Sequence, residues 1–123
     1  TLYANLGSSN QPELEKICRA MIAFPELVSG EGEFDTELMR SSHGQLISKG
    51  GSEGIQCISR LGKELGIAIK VEDGAKRAKQ AVALHILRQL DWLTPTGLEE
   101  LEQKILLLSP GVQLEVIGDL KFQ

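Results

Sequence analysis

The chain has 123 residues, 41% hydrophobic and 24% charged, which is enough for one small domain with its own core and an ordinary balance for a soluble globular protein. A formal net charge of −4 without a basic stripe gives no support to a nucleic-acid partner, and no apolar run approaches the roughly 18 residues of a membrane span. Thr1-Leu2-Tyr3-Ala4-Asn5 has neither the basic nor the apolar part of a signal peptide, and Cys18 and Cys57 lack metal-type spacing, so two buried, reduced thiols and a cytoplasmic location are expected.

Residues 11 to 23 are predicted to form a helix. Asn10 and Glu13 have capping-box spacing, Pro12 suits a first turn, and Leu14, Ile17, Met21 and Ile22 make one apolar stripe that Pro25 ends. A loop with two glycines follows, Leu27-Val28-Ser29-Gly30-Glu31-Gly32, and Asp35 is positioned to cap a short helix from 36 to about 41. Three strand-like runs come next, at about 44–49, 54–60 and 66–72. In the third, Ile67, Ile69 and Val71 face one way while Ala68 and Lys70 face the other. Their short connections, Gly50-Gly51 and Gly62 to Gly66, give an antiparallel meander. Asp73-Gly74 starts a helix over about 75–90, with Ala78, Val82 and Ile86 on its buried stripe beside Ala81 and His85. Thr96 and Glu99 form a second capping box ahead of Leu98, Leu101, Ile105 and Leu108. Pro110-Gly111 ends that helix, and Val112 to Val116 reads as a last strand or extended tail. The sum is an α+β fold, a small antiparallel sheet flanked by helices.

Lys49 stands at the end of the first strand-like run, followed at once by Gly50-Gly51-Ser52-Glu53-Gly54. A lysine there is either a solvated hairpin end, the commoner case, or a cation projecting over a sheet edge into a pocket, with turn N–H groups beside it to hold an anion or a carbonyl oxygen. Nucleophiles are harder to find. No serine has a lysine three residues on, and Ser52 misses Gly-x-Ser-x-Gly by one residue. Thr1 would serve as an N-terminal nucleophile only if it were a genuine mature terminus. His43 reads as exposed in a polar turn and His85 as a satisfied core or boundary histidine. Glu31, Glu33, Asp35 and Glu37 read as a solvated loop and helix start rather than a cation site. Lys76, Arg77 and Lys79 read as a solvated helix face. An electrostatic residue without a nucleophile is what part of an active site looks like when the rest lies elsewhere.

The motifs Lys49-Gly50-Gly51-Ser52-Glu53-Gly54 and Gly66-Ile67-Ala68-Ile69-Lys70-Val71-Glu72-Asp73-Gly74-Ala75-Lys76-Arg77-Ala78, with the upstream Met21-Ile22-Ala23-Phe24-Pro25-Glu26-Leu27-Val28-Ser29-Gly30-Glu31-Gly32, resemble the C-terminal part of the L-asparaginase II family, rhizobial type. The resemblance covers roughly residues 3 to 120. It implies the C-terminal portion of a serine β-lactamase- or glutaminase-like fold, in which a lysine-bearing strand borders the active site. It also implies hydrolysis of L-asparagine to L-aspartate and ammonia through an acyl-enzyme, in a cytoplasmic homodimer. The serine nucleophile, in Ser-x-x-Lys, and most of the pocket would come from an N-terminal part of the same protein, which makes this chain a C-terminal fragment, inactive alone. Lys49 carries over as the sheet-edge lysine that relays a proton with a second serine. Gly50, Gly51, Ser52, Glu53 and Gly54 carry over as the substrate-binding turn, in which Gly50 and Gly51 let backbone approach the substrate and Glu53 either braces Lys49 or finishes the turn. Rhizobial members hold zinc through two cysteines and a lysine. One cysteine position corresponds to Asp35 here, so zinc is not expected as a cofactor and no metal ligand is assigned. Two other readings remain: a free-standing, non-catalytic binding module that keeps the lysine turn for a ligand or partner, and an N-terminal-threonine hydrolase subunit.

Overall fold

The computed structural model describes residues 2–8 and 11–108, with Gly118 and Lys121. In chain order the elements are α1 (Leu2–Gly7), α2 (Pro12–Ala23), α3 (Pro25–Ser29), α4 (Phe34–Ser41), β1 (Leu46–Gly50), β2 (Ile55–Arg60), β3 (Leu65–Lys70), α5 (Lys76–Gln89) and α6 (Pro95–Leu108). The fold is α+β, as expected. Its sheet has the order β1-β2-β3, both pairings antiparallel, with Lys49 opposite Cys57 and Gly50 opposite Gln56.

Alternation along the strands gives the sheet two faces. Leu46, Ile58 and Ile69 face a core built with Phe34 and Leu38 of α4, Ala83, Ile86 and Leu87 of α5, Trp92, and Leu101 and Ile105 of α6. Removing a leucine such as Leu87 or Leu101 from water contributes about 1.5–3 kcal/mol each. On the reverse face Ile47 meets Met39 and Cys18 in a smaller cluster, flanked by Leu6, Met21, Val28 and Leu61. No described helix is long and apolar enough to cross a membrane.

Several local expectations change. In α2 the buried residue is Cys18, while Ile17 is half exposed, so the inward stripe runs through Leu14, Cys18 and Met21. Pro25 does end α2, but it also opens α3, because its missing N–H costs nothing in a first turn. The anticipated loop is therefore partly helical, and Thr36 Oγ1, donating to Pro25 O at 3.1 Å and Gly30 O at 2.6 Å, ties α4 to it. Asp35 is not a cap: α4 begins at Phe34 after Glu33, and Asp35 lies in its first turn. In α5 the buried stripe is rotated by one residue from Ala78 and Val82, both half-buried, onto Lys79, Ala83, Ile86 and Leu87. Helix α6 starts at Pro95, and Thr94 Oγ1, not Thr96, accepts a first-turn N–H, from Gly97 at 3.1 Å. Helix α1 was not anticipated. Gly7 lets it lie on the sheet, since a Cβ there would stand 2.2 Å from Ser59 Oγ and 2.6 Å from Arg60 O. The expectations on Thr1, Asn10, the Leu108 side chain, Pro110-Gly111 and Val112 to Val116 lie outside the described residues.

Candidate functional site

The end of the β1–β2 hairpin closes a cleft between two walls. One wall carries Val28 and Ser29 of α3, Glu33, and Asp35 of α4. The other carries Gly74 and the first turns of α5, with Lys76 and Lys79. Lys49, Gly50, Gly51 and Ser52 lie between them, and the cavity is about 370 Å³. Antiparallel register places Lys49 on the sheet face of Cys57 and Ala68, and Gly50 on the face of Gln56 and Ile69. The site thus wraps around a strand end.

Asp35 organises the first wall. Its Oδ1 accepts from Ser48 Oγ at 2.6 Å and from Gln56 Nε2 at 2.6 Å. Its Oδ2 accepts from Ser29 Oγ at 2.7 Å and from the Gly50 N–H at 2.8 Å. A carboxylate offers about four acceptor positions, so these four donors saturate it. Burial pushes the Asp35 pKa up, but the bonds from Ser48, Gly50, Ser29 and Gln56 outweigh it and hold the carboxyl below its ordinary value. Asp35 is therefore a buried, ionised hub with no lone pair left over.

Lys79 organises the second wall. It is only 8% exposed, which corrects its expected position on a solvated helix face. Its Nζ donates to Gly51 O and Ile55 O, both at 3.2 Å, the carbonyls at the mouth of the hairpin, where the Gly51 N–H also reaches Ile55 O at 2.8 Å. The two walls meet at Gly50. A Cβ there would lie 2.8 Å from Lys79 Nζ, 3.3 Å from Asp35 Oδ2 and 3.3 Å from Gln56 Oε1. Glycine leaves free the one place beside the backbone where both ions crowd in.

Lys49 itself is exposed, and its Nζ donates to Gly50 O at 2.6 Å. Glu53 is exposed and does not line the cleft; its backbone carbonyl accepts from Lys70 Nζ. Gly54 is buried behind the turn at φ 69°, and its carbonyl receives the Val71 N–H at 3.0 Å. Four of the six sequence-assigned residues, Lys49 to Ser52, therefore line one cavity. Asp35 and Lys79, read in the sequence as a cap or solvated acid and as part of a solvated helix face, also line it, and apart from Ser29 their partners come from elements well separated in the chain.

The remaining candidates resolve differently. Glu33 pairs with Lys76 at 2.5 Å, Glu31 with Arg40 at 2.5 Å, and the buried Glu37 with Arg40 and Lys104. The acidic run is thus consumed by ion pairs and by the Asp35 hub, and two of its members are buried rather than solvated. His43 is exposed in a left-handed turn, φ 51°. His85 is half-buried, and its Nε2 finds no hydrogen-bond partner among the described residues, so it is not the satisfied histidine expected. Cys18 is buried and donates to Leu6 O at 3.3 Å, and Cys57 is half-buried on the sheet face away from Asp35; both are free thiols. The zinc arrangement of the rhizobial type does not fit this donor set. Ser29, Ser48, Gln56 and the Gly50 amide all present hydrogens to Asp35, which serves an acceptor already filled and leaves no lone pair for a cation.

No curated protein matches the chain. The sequence model of the L-asparaginase II family matches residues 1–122, a span that contains the hairpin end, both walls of the cleft and all six helices described. By that match, the chain belongs to the L-asparaginase II family.

Proposed function

We propose that this chain contributes the sheet-edge lysine and part of the substrate cleft to an L-asparaginase, which converts L-asparagine to L-aspartate and ammonia. The nucleophile in this reading is a serine in a Ser-x-x-Lys pair upstream of Thr1. Its Oγ attacks the side-chain amide carbon, the amide nitrogen leaves as ammonia after protonation, and water then hydrolyses the ester to release aspartate. Lys49 relays protons in this sequence through a second serine and so lowers the cost of forming the attacking alkoxide. Ser52 offers a hydroxyl at the rim, while the space expected for substrate beside Gly50 and Gly51 is filled by Lys79, Asp35 and Ile55. Lewis-acid assistance at position 35 has no part in the reading, since the Asp35 carboxylate is saturated.

The observation that carries this reading is the family match over a cleft whose floor is the lysine-bearing hairpin end. Coupled ammonia release from L-asparagine by the natural protein tests it. Lys49→Ala is expected to lower turnover by about 100-fold or more while the melting temperature is unchanged, since the exposed Lys49 head supports no packing. Full activity in Lys49→Ala, or no ammonia from the wild-type protein, would overturn it. The binding-module reading has one observation in its favour: Lys49 Nζ is exposed and satisfied by a backbone carbonyl. It takes over if ammonia never appears.

A further inference from the structure

Among the described residues Lys79, only 8% exposed, is a buried cation without a carboxylate in direct contact. Asp35 Oδ2 nevertheless stands near it: Asp35 Oδ2 and Lys79 Nζ lie 3.3 Å and 2.8 Å from the position a Cβ on Gly50 would take. Its hydrogen-bond partners are two neutral carbonyls, Gly51 O and Ile55 O. An ammonium has three donors, so one remains. Asp35, the carboxylate on the opposite wall, is committed to four other donors, and Glu33 is committed to Lys76 at 2.5 Å. Asp35 offsets part of the cost of burying this ammonium but takes none of its hydrogens, and a remaining donor in a cavity wall is suited to an acceptor from outside.

The cavity agrees with this. Lys49, Lys76 and Lys79 line it against Glu33 and Asp35, one positive charge in excess, in a chain whose net charge is −4. Of the glycines that line it, Gly74 leaves room beside the backbone, whereas the space at Gly50 is taken by Lys79 and Asp35 and that at Gly51 by Ile55. The cavity of about 370 Å³ suits a small metabolite.

We infer that Lys79 is the anchor of a carboxylate subsite, and that the group it takes is the α-carboxylate of the amino-acid amide. This deepens the asparaginase reading and rests on it for the identity of the ligand. Lys79 holds one end of the substrate from beneath the strand end, while Lys49 acts on the other side of the same strand. The selectivity that follows is for amides bearing a free α-carboxylate over amides that lack one.

The test compares L-asparagine with 3-aminopropanamide, the same amide without its α-carboxylate, using the natural protein and its Lys79→Gln variant. Loss of a charged hydrogen bond predicts that KM for L-asparagine rises roughly 10- to 100-fold in Lys79→Gln. Any loosening of the hairpin in Lys79→Gln lowers turnover of both amides alike, so the expected signature is a fall in kcat/KM for L-asparagine roughly 10-fold or more beyond the fall for 3-aminopropanamide. Equal losses on both substrates would make Lys79 a brace for the hairpin only and overturn the proposal, as would an unchanged preference. A second readout does not depend on the variant folding or on turnover. The Lys79 ammonium resonance of the ¹⁵N-lysine-labelled wild-type protein is expected to shift saturably on titration with L-aspartate and not with 3-aminopropanamide. A shift in a protein that releases no ammonia sinks the asparaginase reading but keeps the carboxylate subsite; no shift sinks the subsite.

Discussion

At the scale of single residues, Asp35 concentrates the strongest claims. Its folded pKa is depressed, so its contribution is fully present above the unfolded value of about 3.9 and is lost as the pH falls below that, through the folded pKa. Denaturant midpoints measured from pH 7 down to pH 2 should therefore fall on the acid side, and Asp35→Asn should flatten that limb. At neutral pH the same variant should cost about 1–3 kcal/mol, because an amide turns donors toward donors. Parallel acid limbs would show that Asp35 does not carry the effect. Two glycines separate flexible from rigid neighbours. A Cβ on Gly54 would stand 2.7 Å from Val71 O and 2.9 Å from Gly74 Cα at φ 69°, against backbone that cannot give way. Gly54→Ala should cost roughly 2–4 kcal/mol by thermal melting. Gly50→Ala meets the movable Lys79 head first and should cost about 1 kcal/mol, less than Gly54→Ala. The reverse order would contradict the geometry.

Elements were legible where their cause is local. Period-two alternation and glycine turns identified all three strands to within two residues, because side-chain alternation and tight-turn chemistry are properties of the segment itself. The position of Lys49 to Ser52 at a strand end was legible for the same reason. The helices α1 and α3 were not read: the six residues Leu2–Gly7, which rest on the sheet through Gly7, are too few for the Leu2 and Leu6 spacing to stand out, and Pro25 carries a stop signal and a start signal at once. Lys79 read as surface because lysine is polar. Two carbonyls from a hairpin more than twenty residues earlier bury it, and no window along α5 contains them. Asp35 was hidden likewise by donors at 29, 48, 50 and 56. The start of α6 gives a direct contest between sequence pattern and structure. Thr94→Ala should cost about 1 kcal/mol, the worth of an N-terminal cap, whereas Thr96→Ala, exposed in the first turn, should leave the urea midpoint unmoved. The capping-box reading requires the opposite result.

For the whole molecule, the sheet separates two apolar clusters of unequal size, and α1 completes the smaller one. Gly62 N–H reaches Gly7 O at 2.9 Å, and Cys18 donates to Leu6 O at 3.3 Å. Burial and nearby Glu15 push the Cys18 thiol up, so it should react slowly with alkylating reagents. Gly7→Val, which has no room against Ser59 and Arg60, should lift α1 and accelerate labelling of Cys18, read by mass spectrometry, while the main core keeps its cooperative transition. An unchanged Cys18 rate would mean that α1 does not shield this face.

The strand end at Gly50 is gripped from both sides of the cleft, by Asp35 through an N–H and by Lys79 through two carbonyls. Those two residues belong to different helices, α4 and α5, and the hairpin tip is the strut between them. The cleft therefore cannot widen as a hinge would, with its floor left undisturbed. To part, its walls must unlatch one ion from the strut, and the backbone that carries Lys49 would move with whichever grip survives.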